Sequence, residues 1–197
     1  MMYPSYINNS HELEIQRRQN LTISSQCVKR EHAPYWDKEF INTSIDQCQN
    51  PSHRMLLTFL WESGVRITEA INLQKKDIDF SNYVMTVKWL KSRKYHNRVV
   101  PLHPDLREKL LIYTASMLSE DKIFPISRQR AWQITKKELG GHPHMMRHSF
   151  AVNWLRCDGD LVILKGILGH SKIQTTMEYL KIVPMDQGKE LLKIQFR

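Results

Sequence analysis

Side chains that could bind a ligand or react are densest in HPHMMRHSF, at residues 142–150, where three histidines and an arginine fall within seven positions. Side chains of these types can bind a metal ion, cap a helix or bind a phosphate group. A metal is the weakest of the three interpretations. His144 and His148 are four residues apart and can share a helical face, but neither an HExxH pattern nor a pair of cysteines accompanies them.

Capping and phosphate binding both fit the same residues. Histidines at a polar helix start can face solvent or cap a neighbour. His144 and Arg147, three residues apart, can also bind an anion, because a helix N-terminus presents free N–H groups and the positive end of its dipole. An arginine adds a planar fork that binds two phosphate oxygens. The stretch alone does not decide between these two interpretations.

Secondary-structure elements must position these residues. We predict a mainly helical α+β fold with one small three-stranded antiparallel sheet. Gly64 is predicted to end the helix SHRMLLTFLWESG, with Ser52 as its cap, and the short helix RITEAINL follows. The sheet is predicted in DIDFSNYVMTVKWLKSRKYHNRVVPL, with turns at residues 81–82 and around residues 95–97. Later helices are PDLREKLLIYTASML, RQRAWQITKKEL, MMRHSFAVNWLR, DLVILKGILG and IQTTMEYLKI, with Pro104 and Asp160 at helix starts.

The composition narrows the class of partner. A formal net charge of +9, from 29 Lys and Arg against 20 Asp and Glu, favours a polyanion, chiefly nucleic acid or an anionic membrane surface. Three cysteines without close spacing, Cys27, Cys48 and Cys157, are typical of a reducing compartment. With neither a signal-peptide pattern nor an apolar run of about 20 residues, we predict a cytoplasmic protein with no membrane segment.

Polar residues elsewhere fall in a distinctive order. The arginine of GVRITEAINL comes first, followed by a basic hairpin that ends in NRVVPL. The His-x-x-Arg of HMMRHSFA comes next, and the Gly-His and the tyrosine of ILGHSKIQTTMEYLK come last. Together these pieces resemble the tyrosine recombinases, or phage integrase family, over roughly residues 33 to 183. The resemblance implies that residues 31–197 form the catalytic-domain fold of that family. Residues 1–30 are polar and lack a hydrophobic period, so we expect an arm or tail there.

The resemblance also implies a reaction and a set of roles. Tyr179 would attack a DNA phosphodiester and form a 3′-phosphotyrosine, with His144 helping to remove the phenolic proton. Arg66 and Arg147 would stabilise the charge on the non-bridging oxygens, and His170 would add a hydrogen bond. The outcome would be site-specific recombination by integration, excision, inversion or resolution. Because the phosphotyrosine stores the bond energy, neither a cofactor nor a metal is expected.

The basic hairpin supplies the remaining cations. The family's general acid is a hairpin lysine, and Lys91 fits that position best, with Lys94 as the alternative. Lys88, Arg93, Lys94 and Arg98 are predicted to contact the DNA backbone.

Two further residues are predicted to support the site. Glu69, three residues after Arg66, either holds that arginine in place or forms a plain surface ion pair. His148 also fits the family text beside the His-x-x-Arg motif.

The sequence also suggests how the chain assembles, and it leaves two alternative functions open. About 30 to 50 residues precede the match, fewer than the family's DNA-clamping N-terminal domain, so a core-binding partner is one possible source of the clamp. Residues 184–197 could form a docking helix, and we expect a monomer in solution that assembles as a homo-oligomer on double-stranded DNA. The alternatives are a catalytically silent DNA-binding regulator of the same fold and nicking and resealing like that of a type IB topoisomerase.

Overall fold

The computed structural model describes residues 35–91 and 94–183. The α-helices are α1 (Lys38–Gln47), α2 (Pro51–Ser63), α3 (Ile67–Ala70), α4 (Pro104–Tyr113), α5 (Arg128–Leu139), α6 (Pro143–Arg156), α7 (Leu161–Leu168) and α8 (Gln174–Met177). Short 3-10 helices span Lys75–Asp77 and Glu178–Lys181. The strands are β1 (Ile78–Asp79), β2 (Val84–Lys91) and β3 (Lys94–Pro101). The predicted mainly helical fold with one small sheet is confirmed, whereas the predicted arm (1–30) and docking segment (184–197) lie outside the described residues.

Helix α2 begins at a different residue from the one predicted. The side chain of Asn50 accepts hydrogen bonds from the backbone N–H groups of Ser52 and His53, at 3.0 Å each, and Pro51 occupies the first helical position. Asn50 rather than Ser52 is therefore the cap, because a proline at the first position fixes the helical backbone and places the preceding polar residue outside the helix. The predicted end is confirmed, since Gly64 terminates the helix with a φ of +64°.

The three strands form one antiparallel sheet in the order β1-β2-β3. The pairing of β2 with β3 runs from Val84 opposite Pro101 to Lys91 opposite Lys94. Residues 95–97, predicted as part of a turn, therefore lie within β3. The register explains the difference, because pairing in this register buries Met85 and Val100 opposite each other on the core face of the sheet.

Most of the core is built around α2. Its residues Leu56, Leu57, Phe59 and Leu60 are almost fully buried, and the helix packs against α1, α4 and α6. A second, smaller apolar cluster joins α6 and α7 to the 3-10 helix Glu178–Lys181. In the part of the chain that the structure describes, no helix is long and apolar enough to cross a membrane.

Gly64 tests the junction between α2 and α6. Its φ lies in the left-handed region, and a Cβ built there would lie 2.3 Å from Cδ1 of Phe150. We expect Gly64→Ala to destabilise the protein by roughly 1–3 kcal/mol, measured by urea denaturation, because a left-handed alanine is strained and Phe150 must move.

The matched control is Gly166→Ala, within α7. A Cβ at Gly166 meets no described atom within 4 Å, so this variant should be unchanged or stabilised by about 0.5–1 kcal/mol. Equal destabilisation of both variants would contradict the description of the junction.

Candidate active site

Arg147 lies at the centre of the site and is only 1% exposed. Its guanidinium donates one hydrogen bond to the carbonyl of Gly64, at 2.9 Å, and another to the carbonyl of Leu168. Burial, with the nearby positive charge of Arg66, lowers the pKa of Arg147 to about 9. The side chain therefore remains cationic at neutral pH. These two bonds use two of the five N–H donors of the guanidinium, so further donors remain for an anion.

Glu69 joins two other arginines. Its buried carboxylate accepts hydrogen bonds from the backbone N–H of Arg66, at 2.8 Å, and from the Arg66 guanidinium, at 3.0 Å. Arg98 binds the same carboxylate through both terminal nitrogens, each at 2.8 Å. Burial alone would raise the pKa of Glu69, but the hydrogen bonds and charges of Arg98 and Arg66 hold it below its usual value. Glu69 is thus a carboxylate flanked by two guanidinium groups.

The C-terminal end of α7 receives two of these guanidinium groups. Arg98 donates from Nε to the carbonyl of Ile167 at 3.0 Å, and Arg147 binds the next carbonyl, that of Leu168. A helix C-terminus favours cations because its last carbonyls lack partners within the helix. Gly169 ends α7 with a φ of +62°, and a Cβ there would lie 3.0 Å from the Arg98 guanidinium. Arg98 consequently ties β3 to both α3 and α7.

Tyr179 lies in the 3-10 helix Glu178–Lys181 and is 5% exposed. Its hydroxyl lies 2.9 Å from Nδ1 of His148. Burial raises the pKa of Tyr179, although the positive charges of Arg147 and Arg66 act in the opposite direction. Burial, followed by the influence of His144 and Arg147, lowers the pKa of His148 to about 4. A neutral phenol therefore faces a neutral imidazole at pH 7.

The other two predicted histidines lie at the same site. The ring of His144 stands edge-on to that of His148, with ring centres 4.5 Å apart, and burial and Arg147 lower the pKa of His144. Nδ1 of His170 lies 2.9 Å from the hydroxyl of Thr176. Burial, with the charges of Arg147 and Arg66, lowers the pKa of His170 to about 4. All three imidazoles are therefore neutral at pH 7.

Two clefts meet at Arg66. The larger has a volume of about 1320 Å³ and also contains Glu69, Arg98 and His170 among its lining residues. The smaller, of about 450 Å³, is lined by Arg66, His144 and Arg147 among others. The structure therefore brings together Arg66, His144, Arg147, His170 and Tyr179, which the sequence scatters over more than half of the described chain. With His148, which contacts Tyr179, the set has two guanidiniums, three imidazoles and a phenol. Such an arrangement can bind an anion and present a nucleophile to it.

The hairpin residues are described to different extents. Lys88 lines the larger cleft, and its Nζ forms an ion pair with Asp77 at 2.6 Å. Lys91 and Lys94 pair across the end of the hairpin, but their side chains lie outside the described part of the structure. Arg93 lies entirely outside it. The assignment of the general acid and the DNA contacts of Lys88, Arg93, Lys94 and Arg98 stay predictions.

Some residues at the site carry no clear signal in the sequence. Lys165 and Thr175 line the larger cleft, Trp132 is 48% exposed and lines the smaller one, and Thr176 contacts His170. Spacing could have placed only Lys165 at the site, because it lies one helical turn before Gly169, which ends the helix.

Comparison with known proteins identifies relatives of this chain. The model of the phage integrase family matches residues 37–184. The chain is 28% identical over 171 residues to "Tyrosine recombinase XerA" of Saccharolobus solfataricus, covering 84% of this chain and 58% of that protein. It is 34% identical over 144 residues to "Tyrosine recombinase XerA" of Thermococcus onnurineus, covering 66% and 50% respectively. The chain thus spans about half the length of these curated relatives.

Solved structures share the fold. A crystal structure of XerA recombinase matches with a TM-score of 0.63 and 23% identity, over 84% of this chain and 64% of that one. The catalytic domain of bacteriophage HP1 integrase matches with a TM-score of 0.64 and 23% identity, over 84% of this chain and 96% of that one. At this level of identity the likeness shows the fold alone. The family expected from the order of Arg66, His144, Arg147, His170 and Tyr179 is confirmed, and the chain belongs to the phage integrase family.

Proposed function

We propose that this chain is a site-specific DNA recombinase that cleaves and rejoins double-stranded DNA through a 3′-phosphotyrosine. The observation that carries the proposal is the convergence of Arg66, Arg147 and the buried phenol of Tyr179 at one site. The net charge of +9 supports a polyanionic substrate. Among structures with this fold, XerH is described as bound to its difH substrate, and the Tn1549 transposon integrase as in complex with transposon right end DNA.

The two arginines would bind one phosphodiester. Arg147 is fixed by two backbone carbonyls, and Arg66 is fixed by Glu69, so neither guanidinium needs to reorganise when the phosphate arrives. During attack, negative charge builds up on the non-bridging oxygens, and charge-assisted hydrogen bonds from arginine strengthen as it does. His170, held by Thr176, lines the same cleft as Arg66 and would donate a further hydrogen bond to the phosphate.

The nucleophile would be the phenolate of Tyr179. Its oxygen forms a bond to phosphorus, the bond from phosphorus to the 5′ oxygen breaks, and the 5′ hydroxyl leaves with a proton. The resemblance assigns removal of the phenolic proton to His144. The 2.9 Å contact between Tyr179 and His148 instead supports His148 as the direct acceptor, with His144 behind it.

The proton for the leaving 5′ oxygen would come from the hairpin. Lys91, the last residue of β2, remains our proposed general acid, and Lys94 opposite it is the alternative. In the proposed reaction the phosphotyrosine conserves the energy of the broken bond, so rejoining needs only attack by a 5′ hydroxyl. The enzyme therefore requires neither a nucleotide nor a catalytic metal.

Assembly on DNA is part of the same proposal. The two clefts adjoin each other, because Arg66 and Thr68 line both of them. We propose that the chain is a monomer in solution that acts as a homo-oligomer on DNA. A core-binding partner would provide further contacts to the DNA. A cytoplasmic location also stays a prediction.

Covalent trapping tests the proposed reaction. We expect the wild type to form an SDS-resistant adduct with a randomised library of nicked duplexes, because the short 5′ fragment diffuses away and prevents rejoining. Tyr179→Phe should form none, since it lacks the phenolic oxygen. Peptide mapping of the adduct should place the DNA on Tyr179.

The matched control is Tyr113→Phe, on α4, which should behave like the wild type. Binding without an adduct in the wild type would contradict catalysis and favour the silent regulator. Adduct formation with plasmid relaxation but no strand exchange would favour the topoisomerase-like alternative.

Glu69→Gln tests how Arg66 is positioned. We expect the rate of adduct formation to fall about 10–100-fold, the range for residues that orient a catalytic group, because a neutral amide cannot hold two guanidiniums. Glu120→Gln, which removes an exposed ion pair with Lys76, should leave the rate unchanged. Equal rates in the wild type and Glu69→Gln would contradict the role.

The stability of the same variant should depend on pH. Because the pKa of Glu69 is depressed in the folded protein, the stabilising effect of its charge is complete above the ordinary glutamate pKa of about 4.3. It is lost as the pH falls towards the lower pKa of the folded state. The stability difference between the wild type and Glu69→Gln, measured by urea denaturation, should therefore shrink only in that acidic range.

His148→Phe and His144→Phe separate the two histidines. We expect His148→Phe to slow adduct formation by about 10²–10⁴-fold at pH 7, the usual contribution of a proton acceptor. The loss should diminish at high pH, where hydroxide can deprotonate the phenol. If His144→Phe shows this loss and this pH dependence while His148→Phe stays close to the wild type, the acceptor is His144.

A further inference from the structure

A second cluster of chemically active side chains lies away from the two clefts. It consists of Cys48, the residue that follows α1, His53 in the first turn of α2 and Glu138 in the last turn of α5. One donor atom from each residue lies within 4.8 Å of the others. Among the residues that the structure describes, this is the one set of three such side chains that converges in this way. It shares no residue with either cleft that contains Arg66.

The cluster is largely buried, and one of its polar atoms lacks a hydrogen-bond partner among the described residues. Cys48 is fully buried, and the Glu138 side chain is 7% exposed. Nδ1 of His53 is buried and has no hydrogen-bond partner within the described residues. Its nearest acidic oxygen, Oε1 of Glu138, is 3.9 Å away, which is too far for a hydrogen bond. A buried polar atom without a partner costs about 1–3 kcal/mol, so this arrangement calls for something that occupies the space between the three residues.

The donor set indicates what that would be. A thiolate, an imidazole nitrogen and a carboxylate oxygen form a mixed set that suits Zn²⁺ and similar transition metals, whereas Mg²⁺ and Ca²⁺ prefer oxygen donors alone. We propose that Cys48, His53 and Glu138 bind a zinc-class divalent metal ion, with water as the fourth ligand.

The geometry requires a small contraction. Bonds of about 2.0–2.3 Å to tetrahedral zinc place the donor atoms less than about 4 Å apart, so the side chains must move inward by about 1 Å. Glu138 is also 3.5 Å from Nζ of Lys137, whose side chain is largely exposed. The metal would replace this contact, and Lys137 can turn into solvent.

The ion would have a structural role. Its ligands come from α2, from α5 and from the residue that follows α1, three helices around the main core. Binding would therefore link the N-terminal part of the described chain to α5, which precedes the active-site helix α6. A metal that binds only the folded state stabilises it by mass action.

Cobalt binding tests the proposal. We expect the metal-stripped full-length protein to bind one Co²⁺ per chain, with a thiolate-to-cobalt absorption band that zinc abolishes by competition. Zinc at about 100-fold above its Kd should raise the Tm by roughly 5–10 °C. Cys48→Ser should lose the absorption band, and Glu138→Gln should weaken binding.

Cys157→Ser and Cys27→Ser are the matched controls, since each removes one of the other two thiols and should retain the band. The proposal is wrong if the wild type shows no thiolate band at saturating Co²⁺, or if Cys48→Ser retains the band. Absence of the thiolate band in the wild type is enough to reject the site, so the test does not depend on whether the variants fold.

Discussion

The site depends on the buried carboxylate of Glu69. It pairs with two guanidiniums at once, those of Arg66 and Arg98, and it accepts a hydrogen bond from the backbone N–H of Arg66. A buried carboxylate is costly unless it is paired, and removing one partner leaves an uncompensated charge. The three residues therefore hold one another in place and connect α3, β3 and α7. Arg147, bound to the carbonyl of Leu168 at the end of α7, is positioned by the same helix as Arg98.

Burial disfavours the charged form of each of these side chains, but the outcome at neutral pH differs between them. It disfavours ionisation of Tyr179 and keeps the histidines neutral, while Arg147 stays cationic with a pKa of about 9. The free site thus contains positive charge without a phenolate to neutralise it. A phosphodiester that enters would bring the missing negative charge, and a neutral His148 would be ready to accept a proton. In the proposed reaction, the electrostatic state of the free protein therefore suits an anionic substrate rather than an already ionised nucleophile.

Local features of the fold were predictable, and contacts between distant segments were not. Gly64 and Asp160 mark helix ends through their own backbone and side-chain preferences, so sequence placed them correctly. The sequence could not decide between Asn50 and Ser52 as the cap of α2, because both can cap a helix and they flank Pro51. The position of the hairpin turn was also mispredicted, because cross-strand pairing rather than local composition sets it. The order of residue types located the arginines and Tyr179. The bidentate contact between Arg98 and Glu69, across 29 positions, arises only from packing of β3 against α3 and α7.

The most direct measurement is a crystal structure of the Tyr179→Phe variant bound to a duplex that it recognises. We predict that guanidinium nitrogens of Arg66 and Arg147 both lie about 2.7–2.9 Å from non-bridging oxygens of a single phosphate. The ring at position 179 should face the phosphorus from the side opposite the 5′ oxygen. Guanidiniums bound to different phosphates, or a ring turned away with no path towards the phosphorus, would contradict the account.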